Sequence, residues 1–115
     1  IRYSHVGQGE STSSVIPTVT RLVPPEDLNT ASRIATALDV WKDGMDAKAA
    51  AEATGEALDE LYDRVGMPTR LSQLDIPKDE LPQLANDTLK NFNANPGDRP
   101  DDYIENMQAL LEAAW

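Results

Sequence analysis

The sequence of 115 residues contains no cysteine, one histidine and one phenylalanine, and aromatic residues make up only 5% of it. Without cysteine, disulfide bonds, thiolate nucleophiles and cysteine-ligated zinc or iron–sulfur sites are excluded. No apolar run approaches the roughly 20 residues of a membrane-spanning helix, and no signal-peptide pattern opens the chain. We therefore expect a cytoplasmic protein that does not insert into membranes.

Basic residues are also scarce, ten against twenty acidic ones, which gives a formal net charge of −10. A surface of this sign repels nucleic-acid phosphates and anionic membranes, so we expect neither as a partner. Hydrophobic residues make up 40% of the chain, which is an ordinary fraction for a globular protein. We therefore expect residues 1–115 to form a single helical domain.

Apolar residues recur at helical spacing along most of the chain, and no stretch shows the period-two alternation of a strand. Residues 1–14 are rich in Gly, Ser and Thr and are predicted to form a loop leading into the first helix, which ends at Pro24-Pro25. The hydroxyl residues at 11–14 are the predicted caps of this helix. Further helices are predicted at residues 26–39, 46–65, 78–92 and 101–115, with a short helical turn at 69–74. The predicted fold class is all-α, with about five helices plus this turn.

Individual residues indicate where these helices end and which faces they bury. Asp46 and Asp101 are predicted N-caps, and Gly66 occupies the position where a helix commonly ends in a left-handed glycine. Leu58, Leu61 and Val65 continue the predicted inward stripe of the longest helix. Trp115 is predicted to hold the last helix against the domain, and Trp41 to cover a helix junction or a partner surface.

Several segments resemble one known family. Residues 66–74, followed by Ile76-Pro77 and Leu81-Pro82, are similar to a segment of iron-containing alcohol dehydrogenases, where a turn leads into an L-x-x-L-x-I-P stretch and the next helix. Residues 110–115 resemble the closing helix of those proteins, which usually ends in Ala-Trp or a similar pair. The resemblance implies the C-terminal helical domain of that family, of the type shared with dehydroquinate synthases.

Residues 7–17 resemble the metal-site helix of the same proteins, in the variant found in the maleylacetate-reductase branch. The histidine that ligates the catalytic divalent metal there corresponds to Gln8, and a neutral amide oxygen is a much weaker ligand than imidazole. The resemblance also implies that the other metal ligands and the nucleotide-binding Rossmann-like half lie upstream. We therefore expect this chain by itself to bind neither a nicotinamide cofactor nor a metal.

His5 and Glu10 are the candidate catalytic residues. An imidazole suits proton transfer near neutral pH, but the sequence is also compatible with His5 as an ordinary loop residue or as a metal ligand. Glu10 either stabilises the positive end of the first helix or acts as a general acid or base beside His5. Tyr3, Gln8 and Arg21 are the candidate substrate-binding residues.

Three functions remain open at this stage. A cofactor-free isomerase, cyclase or lyase would use His5 and Glu10 on a small organic substrate, and we favour this hypothesis. In the second hypothesis, the chain is half of a split or processed NAD(P)-dependent dehydrogenase or reductase whose Rossmann domain lies on a partner chain. This hypothesis is suggested by the start at Ile1 rather than Met. The third is a non-catalytic binding or scaffold module. A homodimer is expected, because pairing two copies would bury the face that meets the nucleotide-binding half in the family.

Overall fold

The computed structural model describes residues 3–90 and 99–115. Helices account for the regular structure of these ranges, which contain no strand, so the all-α prediction is confirmed. Within these ranges lie five α-helices, namely α1 (Gln8–Leu22), α2 (Leu28–Ala37), α3 (Ala47–Arg64), α4 (Leu81–Asp87) and α5 (Tyr103–Ala113). The described part of the chain also contains short 3₁₀ segments at Leu71–Leu74, Lys78–Glu80 and Thr88–Lys90.

Helix α1 begins earlier than predicted, at Gln8, so the loop predicted for residues 1–14 is too long. The hydroxyl groups expected to cap the helix lie inside it and donate to backbone carbonyls of the preceding turn, as Ser11 and Thr12 do to Gln8. Pro17 therefore lies in the middle of the helix, where it is fully buried. A proline in this place lacks the N–H that would continue the helical ladder.

The helix predicted at residues 78–92 is divided into three parts. A 3₁₀ turn at Lys78–Glu80 precedes α4, and a second one at Thr88–Lys90 follows it. Pro82 lies in the first turn of α4, where its missing N–H costs no helical bond. Residues 91 and 92, and the Asn95-Pro96 pair of the family resemblance, lie outside the described residues.

The ends of α3 agree with their sequence signals. The Asp46 carboxylate accepts a hydrogen bond from the Ala49 N–H at 2.7 Å and so caps the first turn. Gly66 has φ +76°, and the N–H groups of Gly66 and Met67 donate back to Asp63 and Tyr62, which completes a Schellman motif. At α5 the predicted cap is one residue early, because Asp102 rather than Asp101 occupies the N-cap position.

The helices enclose two apolar clusters. Helix α1 packs against α3, α5 and the 3₁₀ turn at Leu71–Leu74, while α4 packs against α5 and α2 against α3. The larger cluster lies between the Leu71–Leu74 turn, α4 and the end of the chain, with Leu81 and Ala114 fully buried. The smaller cluster joins α2 to α3 through alanines. Trp41 packs against it and so covers a helix junction, which was one of the two predictions for this residue.

The second half of α3 is more exposed than its apolar pattern predicts. Leu61 and Val65 are 41% and 63% exposed, whereas Ala50 and Thr54 in the first half are buried. The buried contact with α2 uses small alanine side chains, so it covers only the first half of the stripe. None of the helices in the described ranges is long and apolar enough to cross a lipid bilayer.

Candidate functional site

A pocket of about 500 Å³ opens between the N-terminal segment, the start of α1, α4 and α5. Its volume lies within the range of small-molecule sites in proteins. Its wall is mainly aliphatic, formed by Val6, Leu71, Ile76, Leu84 and Leu111. Four residues add polar groups, namely Tyr3, Gln8, Ser11 and Thr88. The combination suits an apolar molecule that carries few polar atoms.

The first turn of α1 brings Gln8 to this pocket. Gly7 is the N-cap residue in extended conformation, and its N–H donates to the Glu10 carboxylate at 2.7 Å. A capping box consists of two hydrogen bonds, and this is one of them. The second requires an N-cap side chain that accepts from the N–H of the third helical residue, and glycine has none. Gln8 follows as the first helical residue, and its side chain belongs to the pocket lining.

Tyr3 reaches the same pocket from the N-terminal segment. Its hydroxyl donates a hydrogen bond to the carboxylate of Glu80, at the start of α4. The Tyr3 ring meets the His5 ring edge to face, with centroids 5.9 Å apart. Sequence reasoning missed this contact of Tyr3 with Glu80, because 77 residues separate the two and no local pattern pairs them.

His5 lies beside the pocket but does not line it. Its Nε2 is 3.1 Å from the backbone oxygen of Leu74, and because a carbonyl only accepts, this nitrogen carries the proton. His5 is exposed, and the contacts that position its imidazole are the Leu74 backbone oxygen and the Tyr3 ring.

Glu10 faces away from the apolar pocket. It lines a separate polar depression of about 320 Å³ together with Asp63, Gly66 and Met67. His5 and Glu10 therefore have different partners, one on the Leu74 carbonyl and the other on the Gly7 amide. The hydrogen bond to Gly7 is the one expected for a carboxylate that stabilises the start of a helix.

Arg21 is far along α1 and is engaged with α3. Its Nη2 lies 2.5 Å from the carboxylate of Asp59, and its Nε lies 3.6 Å from Glu52. Arg70 binds the other oxygen of Asp59 at 3.2 Å, so this carboxylate links α1, α3 and the loop after Gly66. Arg21 is not among the residues that line the apolar pocket.

The comparisons with known proteins agree with this helical arrangement. The profile of the C-terminal domain of the Fe-containing alcohol dehydrogenase family matches residues 3–115. The chain belongs to this family. No curated protein and no solved structure gives a significant match.

The metal named in the family description can be tested against the donors in this domain. No group of three or more His, Asp or Glu side chains comes together within residues 3–90 and 99–115. His5 and Glu10, the nearest candidates to Gln8 in sequence, use a ring nitrogen and a carboxylate oxygen in bonds to the backbone. The residues described for this Fe-containing alcohol dehydrogenase domain therefore do not form a metal centre of their own.

Proposed function

We propose that this chain is the helical half of an NAD(P)-dependent oxidoreductase that interconverts alcohols and carbonyl compounds. The observation that carries the proposal is the family match, which covers residues 3–115 and is specific to the C-terminal domain. Residues outside these 115 supply the nucleotide-binding part, either on the same chain or on a partner chain. The contribution of this half is a substrate-facing wall.

The apolar pocket supports that role. Its five aliphatic side chains would remove a hydrocarbon substrate from water, at about 25 cal/mol per Å² of apolar surface. Gln8 stands in its lining, at the position that in the family resemblance belongs to the metal-binding histidine. A reacting hydroxyl or carbonyl group near Gln8 would therefore have its hydrocarbon part in the pocket.

The metal does not enter this proposal as a cofactor of the domain. The donor set described above does not fit a metal centre, and an amide oxygen at position 8 adds only a weak ligand. Any metal bound by the whole protein would depend on donors outside this chain. What the domain supplies by its own residues is binding and orientation of the substrate.

The cofactor-free acid–base reaction favoured from the sequence receives no support from the geometry. Glu10 makes the helix-capping bond, and neither Glu10 nor His5 lines the pocket that would hold the substrate. A general acid or base must come within hydrogen-bond reach of the reacting atoms, directly or through one water. We therefore place the oxidoreductase first.

The test uses the protein at its native length, established by intact mass. Purified protein is assayed for consumption of NADH and NADPH with a series of aliphatic aldehydes, and for their formation with the matching alcohols. We expect turnover that improves as the hydrocarbon part fills the pocket. Leu84→Phe, in the pocket wall, should raise KM for the larger substrates, while Leu28→Phe on the exposed side of α2 should leave it unchanged. A native protein that binds neither dinucleotide overturns the proposal.

A further inference from the structure

The hydroxyl groups around the pocket share one feature, which is that each donates its proton to the protein. Tyr3 donates to the Glu80 carboxylate. Ser11 donates to the Gln8 carbonyl at 3.0 Å, and Thr88 donates to the Ala85 carbonyl at 2.7 Å. A hydroxyl group carries one proton, so in this arrangement none of the three donates into the pocket.

Tyr3 differs from the other two in what holds its proton. Ser11 and Thr88 bond to carbonyls of their own helical turns, a local contact that either hydroxyl can exchange by rotating. The Tyr3 proton goes to a carboxylate on a distant part of the chain, and a hydrogen bond to a charged acceptor is roughly twice as strong as a neutral one. Glu80 is therefore the group that most firmly directs a donor away from the pocket.

We propose that Glu80 is a specificity-determining positioning residue, which acts through Tyr3 to make the pocket favour ligands that donate a hydrogen bond. A bound hydroxyl finds acceptors in the lining, whereas a carbonyl oxygen must rely on the Gln8 amide or break one of the existing bonds. The net value of one such bond corresponds to a preference of about threefold to tenfold. The proposal rests on the proposed function only in taking this pocket as the ligand site.

The test compares two probes of nearly equal size, cyclohexanol and cyclohexanone, titrated into the native-length protein and followed by NMR shifts of the Val6, Leu84 and Leu111 methyl groups. The unchanged protein is expected to bind cyclohexanol about threefold to tenfold more tightly. Glu80→Met removes the carboxylate to which Tyr3 donates, so the ratio of the two dissociation constants should fall to about one or invert. Comparing the ratio among variants cancels the different hydration of the probes.

Two further variants keep the result interpretable. Tyr3→Phe removes the directed hydroxyl and should also reduce the ratio, even where Glu80→Met lowers stability. Asp79→Met removes the same charge one residue away, on an exposed side chain, and should retain the ratio of the unchanged protein. If Glu80 has only a structural role, Glu80→Met should weaken the binding of both probes equally and leave the ratio of their dissociation constants unchanged. That result overturns the inference.

Binding of neither probe to the unchanged protein also overturns it. The proposed oxidoreductase is decided separately, by the dinucleotide assay, because that assay does not depend on which probe the pocket prefers. If the protein oxidises alcohols but the ratio of dissociation constants is unaltered in Glu80→Met, the proposed function stands and this inference fails.

Discussion

The side chain of Arg21 lies directly across Gly55, where α1 crosses α3. A Cβ atom at position 55 would stand 2.6 Å from Arg21 Cγ and 3.0 Å from the backbone oxygen of Pro17. Both distances are shorter than ordinary carbon contacts, so the absence of a side chain is what lets the two helices approach. The close approach also brings Arg21 to Asp59, one helical turn further along α3.

Gly55→Ala should therefore destabilise the protein although alanine is the better helix former. Helix propensity favours alanine by about 1 kcal/mol, but overpacking at a tight contact costs about 1–3 kcal/mol and would also displace the Arg21–Asp59 pair. We expect a net loss of about 1 kcal/mol or more in the free energy of unfolding, measured by denaturant titration. Gly9→Ala is the matched control, because a Cβ there meets only Met67 Cε at 3.5 Å, so this variant should keep the propensity gain and be as stable as the parent or up to about 1 kcal/mol more stable. Equal stability of the two variants would contradict the steric explanation.

Trp115 should stabilise the last helix mainly through its indole N–H. That group donates to the backbone oxygen of Ile76 at 2.9 Å, and Ile76 is only 6% exposed. Trp115→Phe leaves a buried carbonyl without this donor, which we expect to cost about 1–3 kcal/mol of unfolding free energy. Lys78→Met removes only the ammonium group 4.7 Å from the indole centroid, and should cost less, about 0.5–1 kcal/mol. Thermal unfolding of both variants checks the order, and a larger loss in Lys78→Met would refute it.

Asp27 should make the start of α2 sensitive to acid. Hydrogen bonds from the Thr30 hydroxyl and from the N–H groups of Asn29 and Thr30 hold the pKa of this carboxyl below its ordinary value of 3.8. A lowered folded-state pKa means that the stabilisation is present above that ordinary value and is lost as the pH falls through the folded-state pKa. Asp27→Asn should therefore be less stable than the parent near neutral pH, with the difference shrinking below about pH 4.

The measurement for Asp27 is the unfolding free energy at several pH values, with Glu26→Gln as the control. Glu26 is the adjacent acid and accepts none of the three cap hydrogen bonds. A constant difference between Asp27→Asn and the parent across the acid range would show that the charge contributes nothing.

Gln8→His should increase the affinity of the native-length protein for Zn²⁺ or Fe²⁺. Imidazole is a stronger ligand than an amide oxygen, and altering the ligand environment of a metal commonly changes affinity on the order of tenfold or more. Isothermal titration with each metal at constant pH measures the change, and Asn29→His on exposed α2 controls for adding a histidine anywhere. No gain at position 8 over position 29 would argue against the correspondence with the family histidine.

The helix ends that could be predicted are those decided by local chemistry. Asp46 and Gly66 act within one turn of their own helix, so their residue types are sufficient to locate the ends of α3. The predicted start of α1 is wrong, because the N-cap is Gly7, whose N–H donates to Glu10 three residues later. The serines and threonines expected to cap the helix lie inside it and donate to its backbone carbonyls.

Contacts between distant segments could not be predicted in the same way. Tyr3 with Glu80, and Arg21 with Asp59, are brought together only by how the helices pack. Leu84 and Leu111 fit the helical spacing of apolar residues in their segments, but this periodicity does not distinguish the wall of a pocket from a filled core. Tyr3 and Gln8, two of the substrate-binding candidates named from the sequence, line the pocket, and their role in binding a substrate stays a prediction. Their partner residues could be identified only from the fold.

The backbone bond from the Leu71 N–H to the Ala114 oxygen, 2.8 Å long, ties the turn before α4 to the end of α5. Beside it, the Ser72 hydroxyl reaches the Trp115 carbonyl across 43 residues of sequence. An amide protected by such a distant partner exchanges with solvent only when the two segments separate. Slow deuterium uptake at Leu71 would thus report how often the end of α5 separates from this turn.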